Sequence, residues 1–418
     1  MIEIARTTPT RLTTELFAPV RFLFAVVAGL AGALARELTG SPFLAEALWA
    51  LALFVLPLPL LPALLLVTMR LELPGLGELG FSDLVAVFYV VRLTFSSRIL
   101  DVRLSPSHLV LIVFFGWAVL TTAPQSGMMW PLVHIMLYAV VGVALTHSPT
   151  AGTGLLWTVL GLALFETIVH LPDMLTRLHG VVLADPAQLG ALLIAALLVV
   201  PLLPLPPNGR IAVRGLLLAG IAATQTRSVW FALCVVAVAM LLPRRWHLPV
   251  GLPLLMAPPA LLAAAQVTAL FKLNGESLDL RLQSISEGLR KLSEKPITGH
   301  GWAFRDVSPT DFANGIIYNL WVHLGVATGL VGVALFVLYV CLLSSETARN
   351  PSAYFFVTAI LAMSLTEVPF YGGSVIALLF FALTSVRREP DRPVRTAEAE
   401  QPDTTSGLAG SGHRNATR

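Results

Sequence analysis

The chain reads as a succession of long apolar runs separated by short polar turns, from near residue 17 to near residue 387. Apolar runs of about 17–25 residues have the length that spans a bilayer as a helix. Candidates lie at 17–36, 43–68, 82–97, 106–123, 128–146, 152–173, 187–204, 210–224, 228–242, 248–271, 320–344, 353–367 and 373–387. They are too long and unbroken for barrel strands, which alternate over about 10 residues. The pattern predicts an all-α, polytopic membrane protein with about 12 transmembrane helices. Pro57, Pro59 and Pro62 interrupt the second run, so one of the early candidates is expected to be a re-entrant or interfacial piece.

One sizeable polar stretch, residues 272–316, interrupts this pattern. It carries RLQSISEGLRKLSEKPITGHGW from Arg281 to Trp302, after which YNLWVHLGVATGLVG returns the chain to an apolar helix at Tyr318. Leu278, Leu280, Leu282, Ile285, Leu289 and Leu292 form an apolar stripe near helical spacing, while Glu287, Arg290, Lys291 and Glu294 are polar. That is an amphipathic helix, of the kind that lies on a membrane surface. Arg281 sits among the apolar positions, which makes it a candidate for pointing inward at an anion. The arginine fork suits phosphate because it binds two oxygens at once.

Composition narrows the class. Of 418 residues, 56% are hydrophobic and 12% charged, against roughly 25% charged in soluble domains. Cytoplasmic loops collect Lys and Arg. The basic short connections are Arg98/Arg103, Arg210/Arg214, Arg244/Arg245 and the tail with Arg387, Arg388, Arg392 and Arg395. Counting spans places them all on one side, taken as cytoplasmic. The 272–316 loop is then the large extracytoplasmic loop, and its basic residues, which break the rule, are expected to bind an anion. Arg6 and Arg11 put the N-terminus on the cytoplasmic side as well, which requires an even number of spans. Residues 1–388 are read as the membrane domain and 389–418, rich in Pro, Ser, Thr and Gly, as a disordered cytoplasmic tail. No cleavable signal peptide is expected, because the first apolar run lacks a small-residue cleavage site. Cys234 and Cys341 fall inside apolar runs and fit no metal-ligand spacing. No metal, cofactor or nucleic-acid partner is expected, and the net charge of +3 is small and better judged loop by loop.

Polar residues that could do chemistry gather at the outer ends of the runs. Gln225-Thr226-Arg227-Ser228 joins two apolar helices. An arginine at mid-membrane costs roughly 2.5–3.5 kcal/mol on insertion scales and less at a helix end, where it snorkels; Arg227 is an interface anchor or an anion ligand. In Pro296-Ile-Thr-Gly-His-Gly-Trp302, Gly299 and Gly301 permit a tight turn with close backbone approach around His300. Tyr318-Asn319 opens the next helix, with His323 one turn beyond. Gly329 and Gly332 lie three apart, where they would let a neighbouring helix pack closely. Each histidine is a general base or an interfacial polar residue. Glu166, His170 and Asp173 near the outer end of one run, Asp83 at the start of another, and Glu367 before an outer turn are further intramembrane ionisable groups.

The ordered set T-R-S before an apolar helix, an arginine opening a loop helix, P-I-T-G-H-G-W, and Y-N followed by G-L-V-G resembles the O-antigen ligase/polymerase family of bacterial integral membrane glycosyltransferases. The resemblance is most specific over residues 215–345. It implies transfer of a glycan from undecaprenyl diphosphate, at the outer face of the inner membrane, to a lipid or glycan acceptor. The reaction it implies is a metal-independent inverting displacement in which the lipid diphosphate leaves. By matching position, Arg227 and Arg281 would hold the diphosphate. Where ligases carry a histidine before the asparagine, this chain has Tyr318. Tyr318 therefore positions the acceptor without acting as base, or His323 or His300 substitutes for the histidine, or the protein is not a ligase. The change tilts the expectation toward a polymerase-like or undefined role. A transporter or flippase for a lipid-linked or amphipathic envelope substrate is the competing reading.

Overall fold

The computed structural model describes residues 23–32, 34–35, 42–69, 80–95, 104–122, 130–146, 149–170, 185–241, 276–302, 317, 319–348, 350–365 and 374–385. Among these residues the regular structure is helical throughout. The helices are α1 (Leu23–Gly32), α2 (Pro42–Val55), α3 (Leu61–Val67), α4 (Phe81–Phe95), α5 (Pro106–Thr122), α6 (Trp130–Leu145) and α7 (Pro149–Val169). They continue as α8 (Pro186–Val199), α9 (Pro207–Thr224), α10 (Arg227–Leu241), α11 (Glu276–Glu294), α12 (Leu320–Thr347), α13 (Pro351–Met363) and α14 (Val375–Ser385). Many open on proline, whose fixed φ suits the first turn and whose missing N–H costs nothing there. Asp185, Asn319 and Asn350 accept from the amides of Ala187, Val322 and Ala353 at the starts of α8, α12 and α13, each satisfying a donor the helix leaves unpaired.

Among the described residues two helices, Ala151–Val169 and Leu320–Thr347, are long and apolar enough to cross a membrane, or three if the bent pair of α2 and α3 is one span. Shorter apolar helices supply the rest of the bundle. Several are apolar on both faces: α5 buries Leu111, Phe114, Phe115 and Ala118 while exposing Leu109, Ile112, Val113 and Leu120. A helix apolar all round belongs in lipid. The protein is an all-helical membrane protein.

The early proline cluster acts as expected. The arms Glu46–Val55 and Leu58–Val67 meet at 114°. Pro57 has no N–H to donate to the carbonyl four residues back, Leu53 O. The Arg92 guanidinium of α4 donates there instead (3.1 Å), and also to Leu56 O.

Close contacts fix which helix ends lie together. A Cβ on Gly190, near the start of α8, would fall 2.3 Å from Val229 Cγ2, near the start of α10. At its far end α8 meets the start of α13 and the end of α14, where Leu198, Leu202, Asn350, Ser352, Ala353 and Leu383 line one small cavity. The Leu320 N–H opening α12 donates to Ser364 O just past α13 (3.0 Å). The starts of α8, α10, α12 and α14 and the end of α13 therefore share one end of the bundle. A Cβ on Gly142 of α6 would lie 2.6 Å from Phe381 O of α14. The close of α6 comes four residues before α7 opens, and Thr167 near the close of α7 meets Gly220 near the close of α9, so α6 begins at that same end. Arg210 and Arg214, opening α9, lie at the other end, because Gly220 near the close of α9 meets Thr167 near the close of α7 and Leu193 of α8. The connections holding Arg98, Arg103, Arg244 and Arg245, the run 248–271, and the tail 389–418 lie outside the described residues.

Candidate functional site

The glycines singled out in the sequence meet at a break in α12. Gly329 has φ 68° and ψ −176° inside this helix, a conformation essentially confined to glycine. The break frees backbone groups, and residues 296–302 fill them. Leu330 N–H donates to Pro296 O (2.8 Å), His300 N–H to Val326 O (2.6 Å) and Gly301 N–H to Ala327 O (2.9 Å). Trp117 of α5 donates through Nε1 to Thr328 O (2.8 Å). Two further positive-φ glycines, Gly299 (68°) and Gly301 (80°), shape this inserted segment. A Cβ on Gly299 would lie 2.5 Å from Gly329 N, and one on Gly329 would lie 2.0 Å from Ile297 O. The expected close approach of a neighbouring helix at Gly329 and Gly332 is thus replaced by the backbone of the preceding loop. Gly332 instead faces Thr328 of its own helix, 2.0 Å from Oγ1 to a built Cβ.

Around the break the polar side chains are buried and occupied. Asn319 is buried; its Oδ1 caps Val322 N–H (3.0 Å) and its Nδ2 donates to Leu365 O (2.9 Å). His323 is buried, with the edge of its ring against the indole of Trp302 (centroids 6.0 Å apart, planes at 77°). Trp302 is tied in turn by its N–H to Thr122 Oγ1 at the close of α5 (2.9 Å). His300 is buried, and its Nε2 lies 2.8 Å from Lys291 O in the last turn of α11. The sequence brings His300 and His323 into view; the link between them through Trp302 and Thr122 carries no local signal.

The loop helix, α11, packs on the start of α12 through Gly288 and through Leu292, a member of the apolar stripe. Leu289 is exposed, whereas Ser284 and Gly288 are buried. A Cβ on Gly288 would fall 2.6 Å from Val322 Cγ1, and one on Gly325 would fall 3.1 Å from Leu292 Cδ2. Small residues let the two backbones approach, so Gly288 and Gly325 set the contact, with Leu292 of the stripe seated against Gly325. On the outer face Arg290 pairs with Glu287 and with Glu294 (2.7 Å to the latter). The backbone of Arg281 lies in α11; its side chain, like Tyr318, Asp173 and Glu367, lies outside the described residues.

Arg227 begins α10, directly after a tight turn. Gln225 takes a left-handed conformation (φ 49°, ψ 26°) to close α9, and Thr226 O accepts from Val229 and Trp230 to start α10. Thr224, Thr226 and Ser228 are buried, and the Arg227 side chain is exposed. The structure therefore places Arg227 at the same end of the bundle as Asn319 and His323. A cation at a helix start gains nothing from the helix dipole, so an anion there would be welcome to both.

Other ionisable residues gather at this end. Asp83, in the first turn of α4, accepts from Gly80 N–H through Oδ2 (2.8 Å) and faces His134 Nε2 of α6 (3.1 Å); both side chains are buried. Asp83 was legible as a candidate, but its partner was not, since the two helices meet only in the fold. Glu166, fully buried, lies 3.8 Å from His170 one turn on. No group of three or more His, Cys, Asp or Glu able to hold a metal occurs among the described residues.

No curated protein matches the chain significantly. A family model does: residues 212–337 match the model described as O-antigen ligase. The matched segment runs from α9 through the Arg227 turn and α11 to the broken α12. Over residues 212–337, which include Arg227, Arg281, His300, Tyr318 and His323, the chain is similar to the O-antigen ligase family.

Proposed function

We propose that this protein transfers a glycan from undecaprenyl diphosphate to a lipid or glycan acceptor at the extracytoplasmic face of the bacterial inner membrane. The observation that carries the reading is the coincidence of the family match with one end of the bundle that gathers Arg227, the α11 packing line and the start of α12. In this reading Arg227 and Arg281 bind the diphosphate, with Arg281 about two turns before the close approach at Gly288. The acceptor oxygen attacks the anomeric carbon from the face opposite the diphosphate. The carbon–oxygen bond to the diphosphate breaks, its electron pair stays on the leaving group, and the acceptor proton passes to a base. Preorganised arginines stabilise the charge that builds on the departing diphosphate. Tyr318 and His323, at the head of α12, are assigned to the acceptor hydroxyl. With tyrosine where ligases carry histidine, chain extension fits better than ligation.

The broken α12 favours this over transport. Discontinuous helices of transporters direct their free ends at the substrate, whereas here the carbonyls of Val326, Ala327 and Thr328 are taken by His300, Gly301 and Trp117. The test is a profile of lipid-linked glycans and surface polysaccharide with the wild-type chain, Arg227→Ala and Arg281→Ala at matched protein levels. Loss of product in both variants, with donor accumulating at the outer face, is expected. Single repeat units accumulating on the carrier indicate a polymerase, and long carrier-linked chains indicate a ligase. Normal glycan in both variants, or donor retained at the inner face, overturns the reading.

A further inference from the structure

We propose that His300 is a positioning residue, a clasp between α11 and the broken α12, rather than the base of the transfer reaction. Its Nε2 lies 2.8 Å from Lys291 O. A carbonyl only accepts, so Nε2 must carry the proton and donate. In the neutral ring this nitrogen has no lone pair left for an acceptor hydroxyl, and Nδ1 is the one ring atom a base could use. The carbonyl it meets belongs to the last turn of α11, where no intrahelical donor remains, and an imidazole is a fitting partner there.

The backbone of the same residue holds the other helix. His300 N–H occupies Val326 O (2.6 Å), the carbonyl that Leu330 N–H would take in an unbroken helix, while Leu330 N–H is bonded to Pro296 O (2.8 Å). One residue thus bonds the close of α11 through its ring and the break in α12 through its amide. The ring is buried, and Glu294 Oε2 stands 3.8 Å away, itself held by Arg290 (2.7 Å) and 4.0 Å from Lys291 Nζ. Positive φ at Gly299 and Gly301 turns the chain sharply on both sides so that ring and amide point to different helices. Since α11 carries Arg281, the clasp sets where that arginine stands relative to the head of α12. This functional consequence rests on the reading of Arg281 as a diphosphate ligand; the clasp itself does not.

Three substitutions separate the roles. Glutamine places an amide N–H near the position of Nε2, asparagine places it near Nδ1, and alanine removes it. Amide hydrogen exchange over residues 284–302, measured on the purified full-length protein, reads the clasp. His300→Ala and His300→Asn should raise exchange there by about tenfold, the effect of losing one hydrogen bond of about 1.4 kcal/mol, and His300→Gln should return it to the wild-type level. In the transfer assay the alanine and asparagine variants should raise KM for the lipid-linked donor more than they lower kcat. Glutamine should restore turnover with an unaltered pH–rate profile. Turnover lost as fully in His300→Gln as in His300→Ala, with exchange unchanged in both, identifies a base and overturns the proposal. Raised exchange that glutamine does not reverse also overturns it. If the wild-type protein transfers no glycan, the functional reading fails while the exchange measurements still decide the clasp.

Discussion

Replacing Gly329 by alanine tests the interlock at the centre of the candidate site. The backbone there has φ 68° and ψ −176°, a region that costs a residue with a Cβ about 1–3 kcal/mol. The new methyl would also sit 2.0 Å from Ile297 O and 2.7 Å from Thr298 N, both backbone atoms. Side-chain rotation offers no relief, so residues 296–302 must move away. Their withdrawal strips Val326 O, Ala327 O and Leu330 N of the partners they have in the native structure. Each buried backbone group left without a partner costs about 1–3 kcal/mol. At the low end of both ranges, the strain and the three groups sum to about 4 kcal/mol. Gly116→Ala is the control: it lies in the middle of α5, with nothing within 4 Å of a built Cβ. Alanine there should be neutral or stabilise by up to about 1 kcal/mol. Thermal unfolding of the detergent-solubilised proteins, followed by tryptophan fluorescence, compares the two. A marked fall in Tm for Gly329→Ala with none for Gly116→Ala is expected. Equal melting of both variants would refute the interlock, because a free kink would accept the methyl.

Two further outcomes follow from the packing. Asp83→Ala or His134→Ala should each cost about 3–5 kcal/mol by stranding one member of a buried pair, and the double variant should lose far less than the sum. Strictly additive losses in a thermal double-mutant cycle would show that the 3.1 Å contact carries no coupling. Gly190→Ala should destabilise by about 1–3 kcal/mol through overpacking against Val229, 2.3 Å from the added carbon. Val229→Ala in the same chain should recover most of the loss, and a Gly190→Ala protein as stable as wild type would contradict the contact.

Much of the architecture was legible in the residues. Apolar run length marked the helices, prolines marked the break in the second run, and Tyr318-Asn319 marked where α12 opens. These are local preferences, fixed by the chain's own geometry within a few residues. The same holds for the site in part: the glycines around His300 signalled a tight turn, and an arginine between two apolar helices signalled a charge kept at a helix end, whereas Gly329, expected to admit a neighbouring helix, instead breaks its own. Leucine spacing did not show how closely α11 and α12 approach, because that is decided by where Gly288 and Gly325 let backbones meet.

What the sequence by itself determined, then, is the set of helices, the places where they must start or break, and the residue types available at their ends. Only the tertiary structure decided what each break would be given. Leu53 O is met by an arginine of α4, the α12 break by a segment about thirty residues upstream, and Asp83 by a histidine of α6. The reason is physical. A freed carbonyl or a buried carboxylate must find a partner once water is excluded, but any suitable donor will do. Which one arrives depends on how distant helices pack, and no local pattern of residues records that.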